Sequence, residues 1–241
     1  MIKFKNSFRK TPLFLLLLFA ATKLEAQTVL LHVDRSSDSI PSKFGPNLHS
    51  YAYPYFRFGF VCGDNNPGAK IKYGTSVALA FGTRVKYKVG KIYSTGWDLG
   101  FYYHAFKLAQ DSGKIVPNNF QNKTERLDFS SLRIAWFNRI NFDPHRGNIL
   151  GRYLDFGLAG EWNYTVKNIL KNDLPDGSSA TTVVKKQPYY TDLNAYAEAK
   201  FGINRFAFYG TYRLTDLFRP RFNFPELPPL VIGIELALGV N

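Results

Sequence analysis

From Lys70 to Val89 the chain alternates between two chemically distinct faces for far longer than an ordinary strand requires. Ile71, Tyr73, Thr75, Val77, Leu79, Phe81, Thr83, Val85, Tyr87 and Val89 carry no charge. The residues between them are Lys70, Lys72, Gly74, Ser76, Ala78, Ala80, Gly82, Arg84, Lys86 and Lys88, all small or basic. A period of two is the signature of a strand with two unlike faces. Strands in globular proteins usually run to about 5–6 residues.

Seven further stretches repeat the pattern. With the first, the expected strands are Tyr51 to Cys62, Lys70 to Val89, Ile92 to Leu108, Leu127 to Asn141, Arg152 to Val166, Tyr189 to Ile203, Arg205 to Thr215, and Leu230 to Val240. No stretch of helical periodicity separates them, so neighbours pair antiparallel. The connections alternate in length. Val89-Gly90-Lys91, Ile203-Asn204-Arg205 and the segment opened by Phe142-Asp143-Pro144 are short, with turn-forming residues. Ala109 to Arg126, Lys167 to Pro188 and Asp216 to Pro229 are long, and polar or Pro-rich, while Gly63 to Ala69 at the same end is compact. Short turns at one end, long loops at the other and an even strand number are the layout of an outer-membrane barrel. The expected fold is all-β: an eight-stranded antiparallel transmembrane β-barrel with short periplasmic turns and longer outer loops.

Alternation does not say which face is inside, and a soluble lipocalin-like barrel would turn the apolar face inward. Strand length, the small residues on the polar face, and the spacing of Tyr93 and Tyr103 favour the inverted arrangement. Ten residues at about 3.3 Å each, tilted near 40°, span roughly 25 Å, the height of a lipid-facing apolar band. Slipping every strand by one residue would turn the charged set to lipid at about 2–4 kcal/mol for each Lys or Arg. The parity therefore assigns a charged interior. Its basic members are Arg57, Arg84, Lys86, Arg133, Arg139, Lys200 and Arg213; its acidic members are Asp98, Asp155, Glu161, Asp192, Glu198 and Glu235. Buried charges need partners, so the near-balance of signs reads as a structural salt-bridge network and not as a channel.

Other segments set the context. Residues 1–26 read as a signal peptide: Lys3, Lys5, Arg9 and Lys10, then an apolar run from Leu13 to Ala21, then Leu24-Glu25-Ala26. The apolar run is too short for a membrane helix. Removing the net +4 of this segment leaves the mature chain near +9 of the formal +13. Export argues against nucleic acid as the partner of that charge; anionic headgroups or an acidic surface fit better. Residues 27–50 form an N-terminal periplasmic segment, in which Val29, Leu31 and Val33 are placed to pair as an extra strand, to dock on a partner, or simply to lead into the barrel of residues 51–241. Tyr51, Tyr53, Tyr55 and Phe56 at the start of the first strand form an interfacial aromatic belt or a partner-binding surface. Cys62 is the sole cysteine, which excludes an internal disulfide.

Catalytic and metal-binding patterns are not found, and no cofactor is expected. His32, His49, His104 and His145 do not pair at ligand spacing. The nearest approach to a catalytic group is His104 with Asp111 and Ser112 at the outer end of the third strand, and the more economical reading of His104 is a cap on the polar core. The Ala26-Gln27 junction, the Tyr- and Phe-rich strands with Gly, and the closing strand Pro229-Leu230-Val231-Ile232-Gly233-Ile234-Glu235-Leu236 resemble the small outer-membrane β-barrel proteins of Bacteroidota, the PorT-like barrels among them. That resemblance implies a structural or interaction subunit, an accessory component of type IX protein secretion, with outer-membrane lipid and other outer-membrane or periplasmic secretion subunits as partners. The alternative is a rim enzyme acting on lipid or peptide.

Overall fold

The computed structural model describes residues 42–185 and 187–239. The expected signal peptide, most of the expected periplasmic segment (27–41, with the Val29–Val33 run) and the last two residues lie outside that range. Nine strands form one antiparallel sheet: β1 (Ser50–Cys62), β2 (Val77–Lys88), β3 (Tyr93–Leu108), β4 (Thr124–Asn141), β5 (Arg152–Asp173), β6 (Ser179–Lys185), β7 (Leu193–Ile203), β8 (Phe206–Arg213) and β9 (Leu230–Ala237). Eight of them close a barrel. The order runs β4-β3-β2-β1-β9-β8-β7-β5, and β4 pairs with β5 to seal the ring. Among the described residues the only helical element is the 3-10 turn Pro220–Phe222.

The expected fold class holds, and the largest differences lie at the start of β2 and the end of β5. Residues 70–76 do not extend β2; Ile71 makes an isolated bridge to Leu108 and the segment turns. In the other direction, β5 runs on to Asp173 and folds back as β6 through Pro175-Asp176-Gly177, inside the stretch expected to be a loop. β7 covers β5 only from Arg152 to Trp162, so β6 takes over the vacated β5 edge from Lys167 onward. A register shift on β5 beside Ser130 and Ser131 marks the changeover, as β-bulges do where a strand bends away from its ladder.

Connections at the end where β1 starts are the tight ones. Asn204 takes the left-handed conformation, at φ 53°, between β7 and β8, which an asparagine tolerates better than most side chains. In the β4–β5 turn, Arg152 donates to Asp143 through its guanidinium and its backbone N–H. Those bonds hold the Asp143 carboxyl down, at about 2. The opposite end carries residues 63–76, 109–123 and 214–229, the long connections.

The two faces are those of an inverted barrel. Phe56, Phe81, Phe101, Leu132, Trp162 and Leu193 stand side by side on six neighbouring strands, and all point away from the barrel axis. Phe56, Phe81, Phe101, Trp162 and Leu193 are exposed, as are Trp97, Ile134, Trp136, Leu158, Phe208, Ile232 and Ile234 on the same outer wall. The lipocalin-like arrangement, apolar face inward, does not hold. Where interior rings cross a neighbouring strand, glycine makes the room. A methyl at Gly82 would lie 2.5 Å from the Tyr55 hydroxyl oxygen and 2.6 Å from the Leu99 carbonyl oxygen, so any side chain there forces the strands apart.

Candidate functional site: the charged barrel interior

The ladder registers carry the interior residues inward from facing walls. Four cations and four carboxylates meet at mid-height: Arg57, Arg84, Arg139 and Lys200 with Asp98, Asp155, Glu198 and Glu235. Arg57 donates to Glu235 at 2.7 Å and, as a two-pronged fork, to both Glu198 oxygens at 2.7 and 2.8 Å. Arg84 bridges Asp98 at 2.6 Å and Asp155 at 2.9 Å. Arg139 grips Asp155 from the other side at 2.7 and 2.9 Å. Lys200 donates to Glu235 at 2.7 Å and lies 3.3 Å from Asp155. Tyr55 donates to Asp98, and the Tyr102 hydroxyl accepts from Arg57 at 2.8 Å. Every one of these eight charges is buried. Forked arginine–carboxylate contacts are the geometry that offsets desolvation best.

A second tier sits nearer the long loops. Arg133 donates to Glu161 at 2.6 Å, and Ser131 donates to the other Glu161 oxygen at 2.8 Å. The Arg133 guanidinium is held between the Tyr102 and Tyr196 rings, 3.9 and 4.1 Å from their centroids. His104 stacks on Tyr196 with its Nε2 3.6 Å from Glu161. Lys86 and Arg213 lie apart. Lys86 donates to the Pro46 carbonyl at 2.6 Å, which draws the chain before β1 against the barrel mouth. Arg213 bonds Glu226 and the Leu227 carbonyl at the loop end.

Apolar layers close both ends. At the loop end, Leu108, Leu127, Phe129 and Val231 from the wall pack against Val116, Leu217, Phe218 and Leu227 from the connections. Burying each such side chain stabilises by about 1.5–3 kcal/mol, enough to hold those connections over the mouth. At the other end, Tyr51, Tyr53, Leu150, Tyr153 and Ala237 form a smaller cluster. Arginine and tyrosine side chains fill the space between, as the width of eight strands allows.

Of the thirteen residues assigned to the interior by parity, twelve are buried there. Asp192 is not. It precedes β7, is two-thirds exposed, and pairs with Arg219 at 2.8 Å on the loop surface; the alternation was carried past the point where the strand ends. Tyr51, Tyr53 and Tyr55 do not form an exposed partner surface. They share parity with Arg57 and are buried inside, so only Phe56 of that group faces outward. The His104, Asp111 and Ser112 grouping is not assembled: His104 faces Glu161 inside, whereas Asp111 pairs with Lys70 on a loop. Glu125 and Lys114, which the alternation does not assign to the interior, form a buried pair at 2.6 Å. Glu125 falls outside the expected fourth strand because β4 starts three residues earlier than the alternation predicts; its parity with Leu127 and Phe129 is the available signal. No family model matches the chain, and no curated protein matches it.

Proposed function

We propose that the protein is an integral outer-membrane β-barrel that acts as a structural or interaction subunit. The observation that carries this is the filled, charge-balanced interior inside a wall of exposed Phe, Leu, Ile and Trp. Contiguous apolar surface on this scale is unfavourable in water and favourable in lipid. In this reading the long connections and the β5–β6 hairpin stand on the cell-surface side, and the tight turns and residues 42–49 in the periplasm. A barrel plugged by paired side chains offers the membrane a rigid, non-conducting platform. What remains to do work is the outer surface, the hairpin and the N-terminal segment. The finer assignment, an accessory subunit of type IX secretion and not an enzyme, draws its support from the family resemblance of the strands and the cleavage junction.

The test is purification of the tagged protein from outer membranes in mild detergent, with planar-bilayer recording of the same material. A stoichiometric protein partner and no conductance are expected. Sustained single-channel currents, or a barrel that remains alone under every mild detergent, would contradict the reading.

A further inference from the structure

The ladder registers place five cations on one outward face at the loop end. Lys107 lies opposite Arg126, Asp128 opposite Lys167, Lys167 opposite Lys185, and Thr124 opposite Lys171. Directly opposed residues share a face, as do residues two apart on one strand, so Lys107, Arg126, Lys167, Lys171 and Lys185 all project outward from β3 through β6. Two carboxylates share that face, and both are engaged: Asp128 pairs with Arg126 at 2.7 Å, and Asp173 with Lys123 at 2.7 Å. Among the described residues, the four lysines pair with no carboxylate. Nearby, Glu125 is turned inward to Lys114. A recess of about 500 Å³ opens between Lys107, Lys123, Arg126 and Lys171, with the paired carboxylates Glu125 and Asp173 also on its lining.

The position of this patch along the wall decides what it fits. Directly below it stand Tyr103 and Tyr164, and below those Phe101, Leu132 and Trp162. Lys107 lies four residues beyond Tyr103, about 10 Å along the axis at strand rise and barrel tilt. The headgroup layer begins just beyond such an aromatic belt and is about 5–8 Å thick on each side, so a lysine rooted at its outer margin reaches the phosphates by extending its side chain back along the wall. At the other end of the same wall stand Tyr93, Ile140 and Arg152, and Arg152 is already clamped on Asp143. The cluster of unpaired cations is therefore at one end of the wall; at its other end Lys91 stands alone.

We propose that this face binds the anionic phosphate headgroup of an outer-leaflet lipid, whose acyl chains lie down the Leu132–Trp162 wall. The site rests on the membrane-barrel reading above. Unpaired lysines suit a phosphate, which takes point charges from several directions. An acidic protein would need the apolar wall beneath the patch to be free of lipid.

Native mass spectrometry of the full chain in mild detergent tests it, with phosphatidylglycerol and phosphatidylcholine of the same acyl chains as probes. One phosphatidylglycerol should be retained, at least tenfold in preference to phosphatidylcholine. Each lysine removed should weaken retention about fivefold. The triple variant Lys167→Gln, Lys171→Gln, Lys185→Gln should thus lose it by about a hundredfold, while Lys43→Gln with Lys91→Gln at the opposite end should leave it unchanged. If the triple variant fails to fold, Lys185→Gln alone, on the exposed β6, gives the fivefold step. Equal retention of both lipids, undiminished binding by the variants, or displacement by inorganic phosphate alone would overturn the site. A chain that enters vesicles but does not distinguish the lipids removes this proposal only. A chain that does not enter them removes the membrane reading.

Discussion

Arg84→Leu should destabilise the barrel by about 3–5 kcal/mol, the cost of leaving buried carboxylates without their partner. Arg84 reaches Asp98, Asp155 and Glu198 at 2.6, 2.9 and 3.3 Å. Leucine fills part of its volume but supplies no donor, and all three carboxylates are shielded from water. Arg84→Lys keeps the charge but only one donor head and should fall between the wild type and leucine. Removing Arg152, whose partner Asp143 sits on an open turn, should leave the unfolding midpoint nearly unchanged, because exposed pairs contribute little. The measurement is guanidinium unfolding in detergent micelles, followed by the shift in gel mobility between folded and unfolded barrel. Equal midpoints for Arg84→Leu and Arg152→Leu would mean the interior charges are wetter, and matter less, than their burial indicates.

Leu158→Arg should cost about 2–4 kcal/mol in a bilayer, the penalty for a cation on the lipid face near the midplane. Leu158 projects outward beside Trp136, from the stretch of β5 that β7 covers. Nothing inside the barrel touches it, so the penalty comes from the surroundings. Phe120→Arg, on a loop where Phe120 is 77% exposed, should have no comparable effect. Comparing folding yields in lipid vesicles separates the two. If Leu158→Arg folds as well as Phe120→Arg, the outer wall is not in contact with hydrocarbon.

Both substitutions were choosable from the sequence because a period of two is unforgiving. Once Arg57, Arg84 and Asp98 are put inside, the parity of every paired strand follows, and a slip would turn charge to the wall. That is why eight strands and twelve interior charges were legible. The errors fall where strict alternation stops. Asp192 lies just before a strand begins, and residues 70–76 turn although their pattern continues. Strand β6 was hidden because Ser179, Thr181, Thr182 and Val183 are exposed on a hairpin with no buried face to pattern it. Its existence depends on β7 being short, a tertiary fact. Residue type alone makes Tyr53 and Tyr55 belt aromatics, whereas their parity with Arg57 places them inside. The basic outer face was not legible because Lys107, Arg126, Lys167, Lys171 and Lys185 become neighbours only through the β3–β6 register.

The membrane residence of the barrel is tested most directly by its own tryptophans. The chain has three, Trp97, Trp136 and Trp162, and all are exposed on the outer wall. The protein would be folded into vesicles whose lipids carry bromine on their acyl chains, and its fluorescence compared with that in unbrominated vesicles. If the wall faces hydrocarbon, the emission is blue-shifted and strongly quenched by the bromines. Emission that stays red-shifted and unquenched by brominated lipid, from a chain that remains folded in buffer without detergent, would contradict the account.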